Sequence, residues 1–175
     1  MEPLLTPLEQ FRIKLLEDRE HRGNRLQDTF DRNMPSVIML TLNIPGRKKT
    51  PDGSEALFRW GKRQLEKILS AETCFDCRDN AGWFAVLSCS EPPESVKKRT
   101  IEIETSVPAA RLLDIDVYNR EHRQISRTTL GLSQRRCLIC HRAAMECIRN
   151  KNHDSTEIQN TAMCILAKFI TSETD

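Results

Sequence analysis

Three short apolar runs, each bounded by turn residues and separated by segments of helical spacing, set the main limit on how this chain folds. The first is Val37-Ile-Met-Leu-Thr-Leu-Asn-Ile44, held between Pro35 and the Pro45-Gly46 turn. The second is Trp83-Phe-Ala-Val-Leu-Ser-Cys89, and the third runs from Arg111 to Tyr118 after Pro108. Runs of this length suit half-buried or buried strands. Between the first two, Ser54 to Ser70 repeats Leu57, Trp60, Leu65 and Leu69 at helical spacing. Pro92-Pro93 opens a helix to Glu104 whose buried face is Val96, Thr100, Ile101 and Ile103, a strand at Thr100 to Glu104 being the other reading. Upstream, Thr6-Pro-Leu-Glu9 is a capping box. Leu8, Phe11, Leu15, Leu26 and Phe30 extend a long amphipathic helix from it, with an interruption expected near Gly23. Downstream, Asn119 to His122 is a turn, Gln124 to Thr128 returns as a hairpin partner, and Ala143 to Arg149 and Glu157 to Ile170 close the chain as two helices. The pattern predicts an α/β or α+β fold, a single domain over residues 1–175 built on one mixed sheet.

Composition narrows the function classes. A formal charge of +2 carries no global signature of polyanion binding, and an aromatic share of 5% argues against platforms that stack single-stranded nucleic acid. The basic clusters are local: Arg47-Lys-Lys49, Lys97-Lys-Arg99 and Arg135-Arg136. Lys97-Lys-Arg99 reads as a solvated surface patch. No stretch has the length of a membrane span, and the N-terminus lacks an apolar secretory core. Seven cysteines without such a leader read as reduced thiols in the cytoplasm.

The third strand carries the chemistry. In an extended strand alternate side chains share a face, so Asp114 and Asp116 point the same way, roughly 6–7 Å apart at their Cα atoms. Leu113, Ile115 and Val117 then face the core. Two carboxylates so placed suit Mg²⁺, a hard cation that takes oxygen ligands and leaves positions for water and phosphate. Arginines follow at 127, 135 and 136. The set meets the first requirement of metal-assisted phosphoryl or nucleotidyl transfer.

The cysteines pose a separate question. Cys74/Cys77 and Cys137/Cys140 are C-x-x-C pairs, but about 60 residues lie between them, unlike a zinc ribbon. Cys137, Cys140, Cys147 and His153 form a more compact zinc set. If Cys140 to Arg149 is one helix, Cys140 and Cys147 sit two turns apart, about 10 Å at Cα, too far for one ion. The spacing therefore favours core cysteines, with a non-catalytic zinc-containing adaptor as the competing reading.

Taken in order, Arg111-Leu-Leu-Asp-Ile-Asp-Val117, Ile125-Ser-Arg127 and Arg135-Arg-Cys-Leu-Ile-Cys140, continuing through Ala144, Cys147, Arg149 and His153, resemble the citrate lyase holo-acyl-carrier-protein synthase family, also called apo-citrate lyase phosphoribosyl-dephospho-CoA transferase. The helix bearing Arg19, Arg22 and Arg25 and the strand ending in Pro45-Gly46 are similar too. The resemblance implies a nucleotidyltransferase that attaches a CoA-derived group to a serine of the acyl-carrier subunit of citrate lyase, from triphosphoribosyl-dephospho-CoA, releasing pyrophosphate. The equivalent synthase of malonate decarboxylase is the related alternative. On this footing Asp114 and Asp116 ligate Mg²⁺ and are catalytic. Arg111, Arg127, Arg135 and Arg136 hold phosphate, with Lys49 as a further point charge on the leaving pyrophosphate. The remaining basic residues would steer an acidic carrier, and neither nucleic acid nor membrane is a partner.

Overall fold

A computed structural model describes residues 5–173. Helix α1, Pro7–Phe30, opens at Thr6, whose side chain caps Glu9 N while the Glu9 carboxylate returns to the Thr6 backbone. The helix runs through Gly23 without a break, and the interruption expected there is absent. Then follow β1 (Ser36–Leu42), α2 (Ser54–Leu69), β2 (Glu72–Asp79), β3 (Gly82–Cys89), α3 (Pro93–Ser106), a 3₁₀ turn (Pro108–Leu112), β4 (Leu113–Asn119), α4 (Ala144–Asn150) and α5 (Ser155–Glu173). Pro93–Ser106 is a helix, and the strand alternative at Thr100 to Glu104 is excluded.

The four strands pair in the order β2-β3-β1-β4, and every pairing is antiparallel. The mixed sheet expected from the sequence is thus corrected, while the α+β class holds. Each helical crossover, β1-α2-β2 and β3-α3-β4, brings the chain back parallel to its starting strand but two positions away. The intervening slot is filled by a strand from the other crossover, so no two parallel strands touch. This is the split βαβ arrangement.

The sheet separates two apolar layers. On one face Ile38, Leu40, Ala85, Leu87, Leu113, Ile115 and Val117 pack against Leu57, Phe58, Leu65 and Leu69 of α2, Val96 and Ile103 of α3 and Leu166 of α5. On the other, Val37, Phe84 and Val86 meet Leu26 and Phe30 of α1. Arg22 pins α1 to the β2-β3 hairpin through a bidentate pair with Asp79, at 2.7 and 2.5 Å, and a bond to the Gly82 carbonyl. That anchor places α1 over β2 and β3, with its last turn reaching Tyr118 through Phe30.

Two further readings change. Strand β2 was not foreseen: Glu72–Asp79 is polar, and only Phe75 and Cys77 among its side chains join the α1-side layer. The hairpin expected at Gln124 to Thr128 reduces to a single bridge, Tyr118 to Gln124, with Ile125 N donating to the Val117 carbonyl at 2.8 Å. Beyond it the chain turns away, because the edge of β4 at Ile115 is already occupied. Lys97 Nζ donates to the Ile115 carbonyl at 2.7 Å and Ile115 N donates to Glu104 at 3.2 Å. Lys97 is therefore buried rather than part of a surface patch, and Arg99 of the same cluster pairs with Glu91 and the Ile68 carbonyl. Two side chains of α3 thus close an edge that would otherwise be open to pairing.

Candidate active site

Strand β4 alternates buried and half-buried positions from Leu113 to Tyr118. Leu113, Ile115 and Val117 fill the α2/α3 layer, which turns Asp114, Asp116 and Tyr118 onto the opposite face. In register they lie beside Thr41, Met39 and Val37 of β1. Helix α1 covers this face over β2 and β3 and touches β4 at Tyr118, beside which Phe30 also stacks on His122 at 4.0 Å. Asp114 is left with its side chain 47% exposed, so the pair is accessible from solvent.

The two carboxylates differ in surroundings. Gln124 Nε2 donates to Asp116 Oδ1 at 2.6 Å, and Arg135 Nη1 donates to Asp114 Oδ1 at 3.3 Å. Burial, then the charge of Asp114, raises the Asp116 carboxyl above its ordinary value, against the pull of Lys97 and the Gln124 bond. Burial and both aspartates push the Tyr118 phenol up to about 12, so it stays protonated at neutral pH. Burial lowers the Lys97 ammonium while Glu104 and Asp116 oppose that shift. Lys97 thus lies behind the pair as a buried positive charge. Lys97, Gln124 and Tyr118 were not among the residues expected from the sequence. The period-2 alternation that placed Asp114 and Asp116 together would have found Tyr118.

Arg135 is the arginine joined directly to the pair. Its Nη2 also donates to the Arg111 carbonyl at 2.8 Å and to the Leu113 carbonyl, so one guanidinium fixes the approach to β4. Arg111 sits at the end of the 3₁₀ turn rather than in the strand, and its Nη2 donates to the Cys137 carbonyl. Arg111, Arg135 and Arg136 line two adjoining grooves of about 790 and 650 Å³, sizes suited to a nucleotide-like ligand. Asp114 and Asp116 line neither groove, and Arg135 links the grooves to the pair. Among the described residues the Arg136 side chain has no ion pair, and it is exposed toward both grooves. Arg127 lines only the second groove, where it pairs with the buried Glu104 at 2.5 Å, the same carboxylate that closes the β4 edge. Lys49 donates to the Ile44 carbonyl at 2.8 Å, and burial followed by the Arg19 charge lowers its pKa.

The cysteines do not behave as their spacing suggested. Cys74 and Cys77 are both in strand β2, Cys77 toward α1 and Cys74 bonded to the Ser88 hydroxyl. Helix α4 begins only at Ala144, so Cys140 lies in the preceding turn and the two-turn separation assumed for it does not exist. Lys151 closes α4 in a left-handed conformation and sends His153 back. The ligand atoms of Cys137, Cys140, Cys147 and His153 all lie within 4.8 Å of one another.

Among known proteins, a family profile described as apo-citrate lyase phosphoribosyl-dephospho-CoA transferase matches residues 11–169. Relatives of that same name occur in Shigella boydii serotype 18 and in Escherichia coli O157:H7. Each is 31% identical over 159 residues, covering 87% of this chain and 86% of the relative.

Proposed function

The chain belongs to the apo-citrate lyase phosphoribosyl-dephospho-CoA transferase family, and from that premise we propose how its residues carry out the transfer. It is a transferase that moves the phosphoribosyl-dephospho-CoA group to apo-citrate lyase, which sets aside malonate decarboxylase and a non-catalytic adaptor. In this reading the donor is triphosphoribosyl-dephospho-CoA and the acceptor is a serine of the acyl-carrier subunit. The serine oxygen bonds to the phosphorus nearest the ribose. The bond from that phosphorus to the pyrophosphate breaks, and pyrophosphate leaves with the electron pair.

Asp114 and Asp116 form the reacting centre. Asp116, its Oδ1 held by Gln124, is the carboxylate that takes up the proton of the serine hydroxyl. Asp114 faces solvent on one side and Arg135 on the other, which directs it toward an incoming phosphate. Arg135, held on two backbone carbonyls and Asp114, offers a fixed positive charge beside the reacting phosphorus. Arg136 and Arg111 hold the remaining phosphates in the grooves. Arg127 acts at one remove, by holding Glu104 and with it the β4 edge. Lys49 stays a candidate for the pyrophosphate end.

The donor set fits Mg²⁺: two hard carboxylates share a face and repel one another, and a divalent cation relieves that repulsion. Asp114 and Asp116 would hold it, and when bound it supplies neutralisation of phosphate charge. Seven free cysteines suit a reducing cytoplasm. No described helix is long and apolar enough to cross a membrane. We take the partners to be the carrier and the nucleotide donor, without nucleic acid or membrane.

The observation that carries this reading is the placement of Asp114 and Asp116 on the uncovered end of a sheet face, joined by Arg135 to two arginine-lined grooves. Intact-mass spectrometry of apo-carrier incubated with the protein, Mg²⁺ and donor tests it. The expected result is a gain equal to the prosthetic group, with one pyrophosphate released per group. No gain, on carrier that a known synthase does modify, would sink it.

A further inference from the structure

Between residues 120 and 155 the chain has little to hold it in place. The buried apolar residues there are Ile125, Cys137 and Cys147 alone, so two of the three are cysteines. Yet this segment is folded into a defined shape. Cys137 N donates to the Arg142 carbonyl and Ala144 N to the Arg135 carbonyl, both at 2.8 Å, which closes residues 135–144 into a tight loop. A segment short of apolar burial needs another source of stability, and a metal is one of the few available.

We infer that Cys137, Cys140, Cys147 and His153 bind one Zn²⁺ as a structural site. With Zn–S bonds of 2.3 Å and Zn–N bonds near 2.0 Å, a tetrahedron has edges of about 3.8 Å between sulfurs and about 3.5 Å between sulfur and nitrogen. Here Cys140 Sγ stands 3.5 Å from Cys147 Sγ and 3.3 Å from His153 Nε2, and no pair of ligand atoms exceeds 4.8 Å. The four atoms therefore already enclose a space of the right size.

The surroundings agree with the ligands. Ile139 N donates to Cys137 Sγ at 3.5 Å and Asn152 Nδ2 to Cys147 Sγ at 3.7 Å, contacts that stabilise thiolates. Glu157 lies 3.7 Å from His153 Nδ1, which leaves Nε2 as the metal-facing nitrogen. Such carboxylate–histidine pairs orient zinc ligands. On loading, three thiols release their protons to solvent and the cation takes the three thiolates and one neutral imidazole. Four protein ligands close the coordination sphere, so the site is structural rather than catalytic.

The same loop carries Arg135 and Arg136, and Arg111 donates to the carbonyl of Cys137 itself. Zinc would thus fix the arginines against β4, a consequence that rests on the transfer reading above, whereas the site itself does not.

The full chain, purified without chelator, should contain about one zinc per molecule that resists dialysis and is released by an organomercurial. Replacing that zinc with Co²⁺ should give tetrahedral visible bands and thiolate charge transfer. Cys140→Ser and His153→Ala should lose most of the metal, and a Cys74→Ser/Cys77→Ser double variant should keep it. Zinc well below one equivalent after growth in zinc-supplemented medium would overturn the inference. So would a wild-type Co²⁺ spectrum without thiolate bands, which decides the matter even if Cys140→Ser fails to fold. A Cys140–Cys147 disulfide in the isolated protein would overturn it as well. Metal content is read without the transferase assay: a zinc-loaded but inactive protein counts against the transfer reading alone, and an active zinc-free one against the site alone.

Discussion

Replacing Asp116 by asparagine should make the protein more stable and less active at once. Same-face neighbours on a strand are roughly 6–7 Å apart, and at an effective dielectric of about 20 two like charges at that distance repel by about 2.5 kcal/mol. The Asp114 side chain is 47% exposed, and Lys97 and Gln124 already offset part of the repulsion. Solvent screening brings the expected net gain to about 1 kcal/mol, or roughly 2–4 °C in the unfolding midpoint of a chain this long. Asparagine keeps an Oδ1 that accepts from Gln124, so the substitution removes charge and little else. Because folding raises the Asp116 pKa, ionising it costs stability. The cost is absent in acid, where the carboxyl is protonated in both states, and grows as pH rises through the unfolded and then the folded value. The variant's advantage is therefore full at neutral pH and shrinks to nothing on acidification. Thermal unfolding of both proteins across that range, beside the carrier-modification assay, measures it. A variant no more stable than wild type at neutral pH, or one whose gain persists in acid, refutes the reasoning.

The other expectations concern the residues around the pair. Arg135→Ala removes a charge-assisted bond to Asp114 and two to backbone carbonyls. A loss of about 2 kcal/mol of transition-state stabilisation is roughly a 30-fold fall in kcat/KM for carrier modification. Arg135→Lys should recover only part of it, since an ammonium lacks the planar fork; full recovery would contradict the geometry. Glu104→Ala leaves Arg127 without its partner and strips the Ile115 N–H of its acceptor at a position only 5% exposed. Urea unfolding should register a loss of about 3–5 kcal/mol, and a loss below about 1 kcal/mol would remove the edge-clamp account.

The sequence carried the face of the aspartate pair, because an alternation of period 2 fixes it regardless of the rest of the fold. Helix α2 was legible for the parallel reason, an apolar stripe of helical spacing, whereas at α3 the same residues also allowed a strand over Thr100 to Glu104. What escaped were features set by contacts distant in sequence. Strand β2 is a polar edge strand, and only Phe75 and Cys77, ahead of the Asn80-Ala81-Gly82 turn, hinted at it. Lys97 reads as surface within Lys97-Lys-Arg99, yet α3 crosses the β4 edge in a way that turns it inward. The pairing of Arg127 with Glu104, 23 residues upstream and buried, is likewise invisible in the local sequence. For the cysteines one local expectation fails, that Ala143-Ala-Met-Glu extends a helix back to Cys140. A helix starting at Ala144 and a left-handed Lys151 remove the two-turn separation on which the objection to a shared ion rested.

The most direct test of the central claim, that Asp114 and Asp116 are the reacting centre, is the single-turnover rate of carrier modification by Asp114→Asn against wild type at saturating Mg²⁺ and donor. The account predicts a rate lower by about 10²–10³-fold or more in a variant whose unfolding midpoint is unchanged or higher. A folded Asp114→Asn protein that modifies the carrier within about tenfold of the wild-type rate would contradict it.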